Sequence, residues 1–227
     1  MTTKTTPAEF IEPLAEAFPP ASDADEQRLA SMLFALLAKG EPVETARLAG
    51  AVGRPEADVA AALDESPFDR LAYRDDRGRI VGFGGLAVGD LARSAHRVVL
   101  DGRELYAWCA GDALFLPLVL DRELRVESRC PTTGQRIGLA VSPQGFRDIE
   151  PPGAVMSFLR PEEIAARAEG GGDVIRNFCH FVHFFASEQA AQAWIAGHPG
   201  TTQISITDGF EIGRRWVGHI WGVGASR

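Results

Sequence analysis

The chain has 227 residues, of which 45% are hydrophobic and 24% charged, and it carries a net charge of −8. This composition excludes a disordered or low-complexity chain and fits one large domain or two small ones. An acidic surface argues against a polyanion partner, so neither nucleic acid nor an anionic membrane is expected.

Residues 1–22 are polar and then rich in Pro and Ala, and they read as an N-terminal arm or short helix ending at Pro19-Pro20. No secretory apolar stretch is present, nor any run of ~18 apolar residues, so a cytoplasmic location is expected. Ser22 or Asp23 can cap a helix whose Leu29, Met32, Leu33, Leu36 and Leu37 share one face, and Lys39-Gly40 ends it. Glu44 to Ala51 and Glu56 to Asp64 read as two short helices joined by a tight turn at Gly53. Leu71 to Arg74 and Arg79 to Phe83 read as strands around Asp75-Asp76-Arg77-Gly78. Residues 23–90 therefore have the outline of a winged helix-turn-helix domain. Its paired helices carry five acids (Glu44, Glu56, Asp58, Asp64, Glu65) against two bases (Arg47, Arg54). That balance is wrong for a phosphate backbone, so the domain is read as a scaffold.

Residues 91–227 read as a second domain, a mixed or antiparallel β core with flanking helices, which makes the whole chain α+β. His96 to Leu100 and the segment near Tyr106 read as strands around Asp101-Gly102. A helix is expected from Cys109 through Asp112 to Leu116, where Pro117 disturbs it. Arg125 to Ser128 and Ile137 to Val141 flank a turn at Pro131-Thr132-Thr133-Gly134, the signature of a hairpin with a longer loop. Pro151-Pro152-Gly153 breaks the chain again. An aromatic, His-containing run follows at Phe178 to Phe185; if it is a strand, positions 179, 181, 183 and 185 share one face. Ser187-Glu188 starts an Ala-rich helix, and Ile204 to Ile206 reads as a strand. Asp208 and Glu211 resemble a capping box for a terminal helix.

The three cysteines, Cys109, Cys130 and Cys179, are too few and too scattered for a disulfide scaffold. Cys109 and Asp112 stand three apart, on one face of a helical turn, and pair a soft nucleophile with a proton-handling carboxyl. A buried structural cysteine beside a capping aspartate is the plainer alternative. Cys179 and His183 have a C-x3-H spacing, but nothing completes a four-ligand zinc set, and His180 and His183 read as ordinary satisfied or exposed histidines. Cys130-Pro131-Thr132-Thr133-Gly134 has the shape of a zinc knuckle whose second thiol is replaced by Thr133, so Cys130 reads as a turn or core residue.

The segments Leu105 to Asp112, Glu127-Ser128-Arg129-Cys130 and Phe178 to Ser187, with Phe210 to Arg215, resemble the alkylmercury lyase family of bacterial mercury resistance in order and spacing. The resemblance implies an organomercurial lyase that cleaves the carbon–mercury bond by protonolysis, releasing hydrocarbon and Hg(II). It implies Cys109 and Cys179 as the catalytic cysteines, Asp112 as the proton-handling aspartate, and Cys130 as structural. Cys109, Cys179 and Asp112 are also the implied ligands of the Hg(II) product. Gly111 departs from the family pattern, in which a bulkier apolar residue stands there. Trp108, Phe178 and Phe181 are candidates to line an apolar pocket for the organic group, with core packing as the alternative for each. No organic cofactor is expected, since neither a Rossmann fingerprint nor a P-loop is present. The implied partners are the organomercury substrate and an acceptor for Hg(II), either a mercuric reductase or a low-molecular-weight thiol, the latter needed for turnover.

Three other readings compete with this one. A DNA-binding winged-helix sensor of metals or thiols conflicts with the acidic helices. A thiol–disulfide redox protein conflicts with the lack of a CxxC pair. A catalytically inactive relative that only binds Hg(II) is opposed by the intact Cys109, Asp112 and Cys179 set.

Overall fold

The computed structural model describes residues 6–18, 21, 23–65, 68–91, 96–169 and 173–221. A 3-10 turn at Pro7–Phe10 leads into α1 (Ile11–Ala17). This N-terminal segment buries Phe10, Leu14, Ala17 and Phe18, and α1 packs against α7 (Pro161–Glu169) and α10 (Ile206–Trp221). Asp23 caps α2 (Ala24–Leu37), its carboxylate accepting the N–H groups of Asp25 and Glu26 at 2.9 Å each. Ser22, the other candidate cap, lies outside the described residues. The paired helices α3 (Thr45–Val52) and α4 (Glu56–Leu63) follow. A short α5 (Phe68–Leu71) then leads to β1 (Ala72–Arg74) and β2 (Ile80–Phe83). The helix-turn-helix with its wing is therefore present.

The wing does not stand apart. Strands β3 (Leu86–Ala87), β4 (His96–Leu100) and β5 (Arg103–Ala107) continue the chain. After them come β6 (Leu124–Arg129), β7 (Arg136–Ser142) and β8 (Gly145–Glu150). All eight form one sheet in the order β1-β2-β3-β5-β4-β6-β7-β8. The join is the pairing of Leu86 with Ala107 and Ala87 with Tyr106, so one antiparallel sheet runs across residues 90 and 91. A second sheet, β10-β9-β11, holds β9 (Val155–Leu159) between β10 (Phe184–Phe185) and β11 (Thr201–Ser205). The remaining helices are α6 (Ala110–Leu120), α8 (Val174–Asn177) and α9 (Glu188–Ile195).

Three local expectations are corrected. The helix after Cys109 passes through Pro117 and ends at Leu120. It is apolar nearly all round and packs on α10 and on the sheet, and that burial offsets the missing hydrogen bond. The 178–185 run is not one strand: Cys179–Phe181 forms a 3-10 turn, and only Phe184–Phe185 pairs in a sheet. The terminal helix starts at Ile206 rather than at Asp208. Ser205 caps it, accepting the Asp208 N–H at 3.0 Å, while Glu211 turns instead to Arg214 and Arg215.

Candidate active site

The site begins where β5 meets α6. Cys109 is the N-cap of α6, in extended conformation, and its sulfur accepts the Asp112 N–H at 3.4 Å. A thiol at the N-terminus of an 11-residue helix accepts a first-turn N–H and faces the positive end of the dipole, both favourable to a developing thiolate. The same helical turn places Asp112 over Cys109. The Ala110 N–H, in that turn, bonds to the Val182 carbonyl at 3.0 Å, tying the helix start to the loop that follows Cys179.

Cys179 arrives from a distant part of the chain. It opens the 3-10 turn after α8. That turn is stapled to β9 by Ser157, a fully buried residue. Its hydroxyl donates to the Phe181 carbonyl at 2.9 Å and accepts the His183 N–H at 3.0 Å. The result is convergence: one ligand atom each from Cys109, Asp112 and Cys179 lies within 4.8 Å of the others, and all three residues are buried. The Cys179 thiol donates to Asp112 Oδ2 at 3.7 Å. Both cysteines are free thiols.

Asp112 rests on bare backbone. Gly85, in the turn between β2 and β3, has φ +98°, and its carbonyl accepts the Trp108 N–H at 2.9 Å. A Cβ at Gly85 would stand 2.6 Å from Asp112 Oδ1, so only glycine lets the wing press against this carboxyl.

The three groups open into a cavity of about 620 Å³, mouth included. Its walls are chiefly aromatic and aliphatic, with Phe18, Trp108, Phe115, Phe158, Phe178 and Trp216 prominent. Trp108 and Phe178 are among its lining residues. Phe181 is outside the lining, and its ring lies under the Arg167 guanidinium. Gly111 does line the cavity, and a Cβ there would be 3.5 Å from Cys109 Sγ, so its missing side chain leaves space over the sulfur.

Burial sets the electrostatics. It pushes the Cys109 thiol up to about 11 and raises Cys179 as well, so both are protonated at rest. Burial also lifts Asp112 to about 6, opposed by hydrogen bonds from Cys109 and Cys179. At neutral pH a carboxylate therefore sits among thiols that hold their protons. That arrangement can bind a soft metal with two sulfurs, take up thiol protons and return one.

The remaining candidates stay outside this set. Cys130 is buried in the β6–β7 turn, where its N–H bonds to the Gln135 carbonyl at 2.9 Å. His183 bonds through Nε2 to the His180 carbonyl at 2.8 Å, and burial lowers its imidazole to about 4. Among the described residues, Cys109, Asp112 and Cys179 form the one close group suited to a metal ion.

A family model described as Alkylmercury lyase matches residues 91–218. The chain belongs to the alkylmercury lyase family. A second model, the helix-turn-helix domain of alkylmercury lyase, matches residues 10–84. An alkylmercury lyase of Staphylococcus epidermidis is 35% identical over 207 residues, covering 91% of this chain and 89% of that protein. An alkylmercury lyase of Pseudomonas putida is 35% identical over 181 residues, 80% of this chain and 79% of its own. The fold is also that of the mercury-bound form of MerB2, a crystal structure with TM-score 0.71 and 24% identity that covers 93% of this chain and 97% of that one.

Sequence reasoning about this alkylmercury lyase family member missed Ser157, Gly85 and the cavity wall supplied by α10. One signal for the last was present. Gly209 and Gly213 are four apart, on one helical face, where α10 meets α6 and β9. A Cβ at Gly209 would stand 2.2 Å from the Met156 sulfur, so the glycine allows the close approach.

Proposed function

We propose that this chain is an organomercurial lyase in which Cys109, Cys179 and Asp112 carry the reaction. The observation that carries this reading is the meeting of two thiols and one carboxyl, buried at the floor of an apolar cavity. A carbon–mercury bond resists water because carbon departs poorly as a carbanion. Two thiolates on one mercury push electron density toward carbon, and a proton delivered there lets the hydrocarbon leave.

The substrate is written RHg–SR′, the mercurial with a carrier thiol. Mercury bonds first to one cysteine, and the carrier leaves as R′SH with that cysteine's proton. The second thiol then binds mercury, its proton passing to Asp112, which is still a carboxylate at neutral pH. The protonated Asp112 delivers that proton to carbon as the carbon–mercury bond breaks. The balance is RHg–SR′ plus two cysteine thiols giving RH, R′SH and mercury held by two cysteine sulfurs. Asp112, again a carboxylate, lies beside the Hg(II) product as a weak oxygen ligand. Trp108 and Phe178 bound the space for the organic group.

These steps call on side chains of the chain and on an external thiol. Two equivalents of thiol, or the cysteines of a mercuric reductase, take Hg(II) and restore both cysteines. A reducing compartment, the cytoplasm, keeps them as thiols; among the described residues no helix is long and apolar enough to cross a membrane. The test is headspace detection of methane from methylmercury with purified protein and excess thiol. Methane is expected from the natural protein and none from Cys109→Ala or Cys179→Ala. No methane from the natural protein overturns the reading.

A further inference from the structure

A smaller cavity of about 230 Å³, mouth included, adjoins the main one, and Phe18, Val174 and Phe178 line both. Beyond this shared wall its chemistry is the reverse of the main cavity's. Two guanidinium groups line it, Arg70 from α5 and Arg167 from α7, with the amide of Asn177 beside them. The Arg70 Nε is buried without a hydrogen-bond partner, and no carboxylate among the described residues pairs with this side chain. The Arg167 guanidinium carbon lies over the Phe181 ring, 4.1 Å from its centroid, and one terminal nitrogen donates to the Pro199 carbonyl at 3.5 Å. Its Nε is likewise buried and not hydrogen-bonded, although Glu163 lies at ion-pair distance, 3.5 Å away.

Two guanidiniums against one carboxylate leave a local positive excess in a chain of net charge −8. Buried N–H groups on a cation are costly to leave unpaired, and a guanidinium fork matches a carboxylate. The main cavity, by contrast, is walled by apolar side chains and has no cation in its lining. Mercury's preference for sulfur means that an organomercurial in a thiol-rich medium travels as RHg–SR′. Small biological thiols such as cysteine and glutathione carry carboxylates.

We propose that the Arg70–Arg167 cavity is a subsite for the carboxylate of the carrier thiol. It anchors the carrier while mercury passes across the Phe178 wall to the cysteine pair. The exchange balances as RHg–SR′ plus a cysteine thiol giving RHg–S–Cys and R′SH. The inference rests on the lyase reading above.

Two measurements test it on the full chain. The first is calorimetric binding of S-methylglutathione, which keeps the carboxylates and cannot bind mercury as a thiolate. Saturable binding is expected, weakened about tenfold or more in Arg70→Gln or Arg167→Gln and partly kept in Arg70→Lys. Unaltered melting curves check that each variant folds. The second is the KM for methylmercury supplied on glutathione against that supplied on 2-mercaptoethanol, which has no carboxylate. Glutathione is expected to give a KM about tenfold lower in the natural protein, with the ratio near one in Arg70→Gln. Equal KM values in the natural protein, an unchanged ratio in the variant, or no binding of S-methylglutathione would each overturn the proposal. No hydrocarbon release with either thiol would sink the lyase reading instead, and the binding measurement would still decide the subsite.

Discussion

Asp112 shows how one residue can cost stability and supply chemistry. Burial raises its carboxyl from the usual 3.8 to about 6. The folded state thus favours the neutral acid, and that preference helps folding fully below pH 3.8 and is lost as pH rises through about 6. Asp112→Asn, neutral at every pH, is therefore expected to stabilise the protein at pH 8 by up to about 3 kcal/mol. It should gain little at pH 3, and turnover should be lost throughout. Urea denaturation at the two pH values, with methane release alongside, checks this. In the natural protein kcat/KM for methylmercury should fall as pH drops through about 6, because a protonated Asp112 cannot take a thiol proton. A flat profile between pH 5 and 8 would remove Asp112 from the role of base.

Elements set where these residues stand, and a few contacts set the elements. Ser157 joins β9 to the Cys179 turn with two hydrogen bonds. Ser157→Ala leaves the buried His183 N–H without that acceptor and should cost about 1–3 kcal/mol. Turnover should fall with it, since the turn carries Cys179. A second tie comes from the wing, where the Tyr73 hydroxyl donates to Asp173 Oδ1 at 2.5 Å. The Tyr73 ring also stands edge-on to Trp108, 4.9 Å between centroids. Tyr73→Phe keeps the ring contact and loses the tie, so it should lower melting temperature modestly, by the equivalent of about 1 kcal/mol. Calorimetric melting of both variants measures these effects.

Across the whole molecule, the wing and the second half of the chain share one sheet. Strand β3 pairs with β5, and Gly85 beside it abuts Asp112. A fragment ending at residue 90 would lose the β5 partner and leave β3 as a bare edge. Such a fragment is expected to lack a cooperative unfolding transition, as followed by circular dichroism; a sharp transition would show that the helix-turn-helix unit folds alone. The acids of the paired helices gain a simpler context from this joint. The block builds a wall of the cavity that holds Cys109, Asp112 and Cys179, through Leu71, Gly84 and Gly85.

Local chemistry was readable from sequence wherever neighbours in the chain decide it. Asp23 as a helix cap, the α2 face, the hairpin around Pro131 to Gly134, and Cys109 with Asp112 on one turn all depend on residues within a few positions of each other. Cys179 stands 70 residues from Cys109 and 67 from Asp112, so spacing does not pair them and only the family resemblance implies it. Folding supplied the rest. Helix α6 runs through Pro117 because burial on both sides outweighs one lost hydrogen bond. The aromatic run breaks into a turn because Ser157 and the Ala110 N–H engage its backbone, at the Phe181 and Val182 carbonyls. Three dispersed groups became one site because long-range packing paid the entropy of ordering them, and burial then raised all three toward their protonated forms.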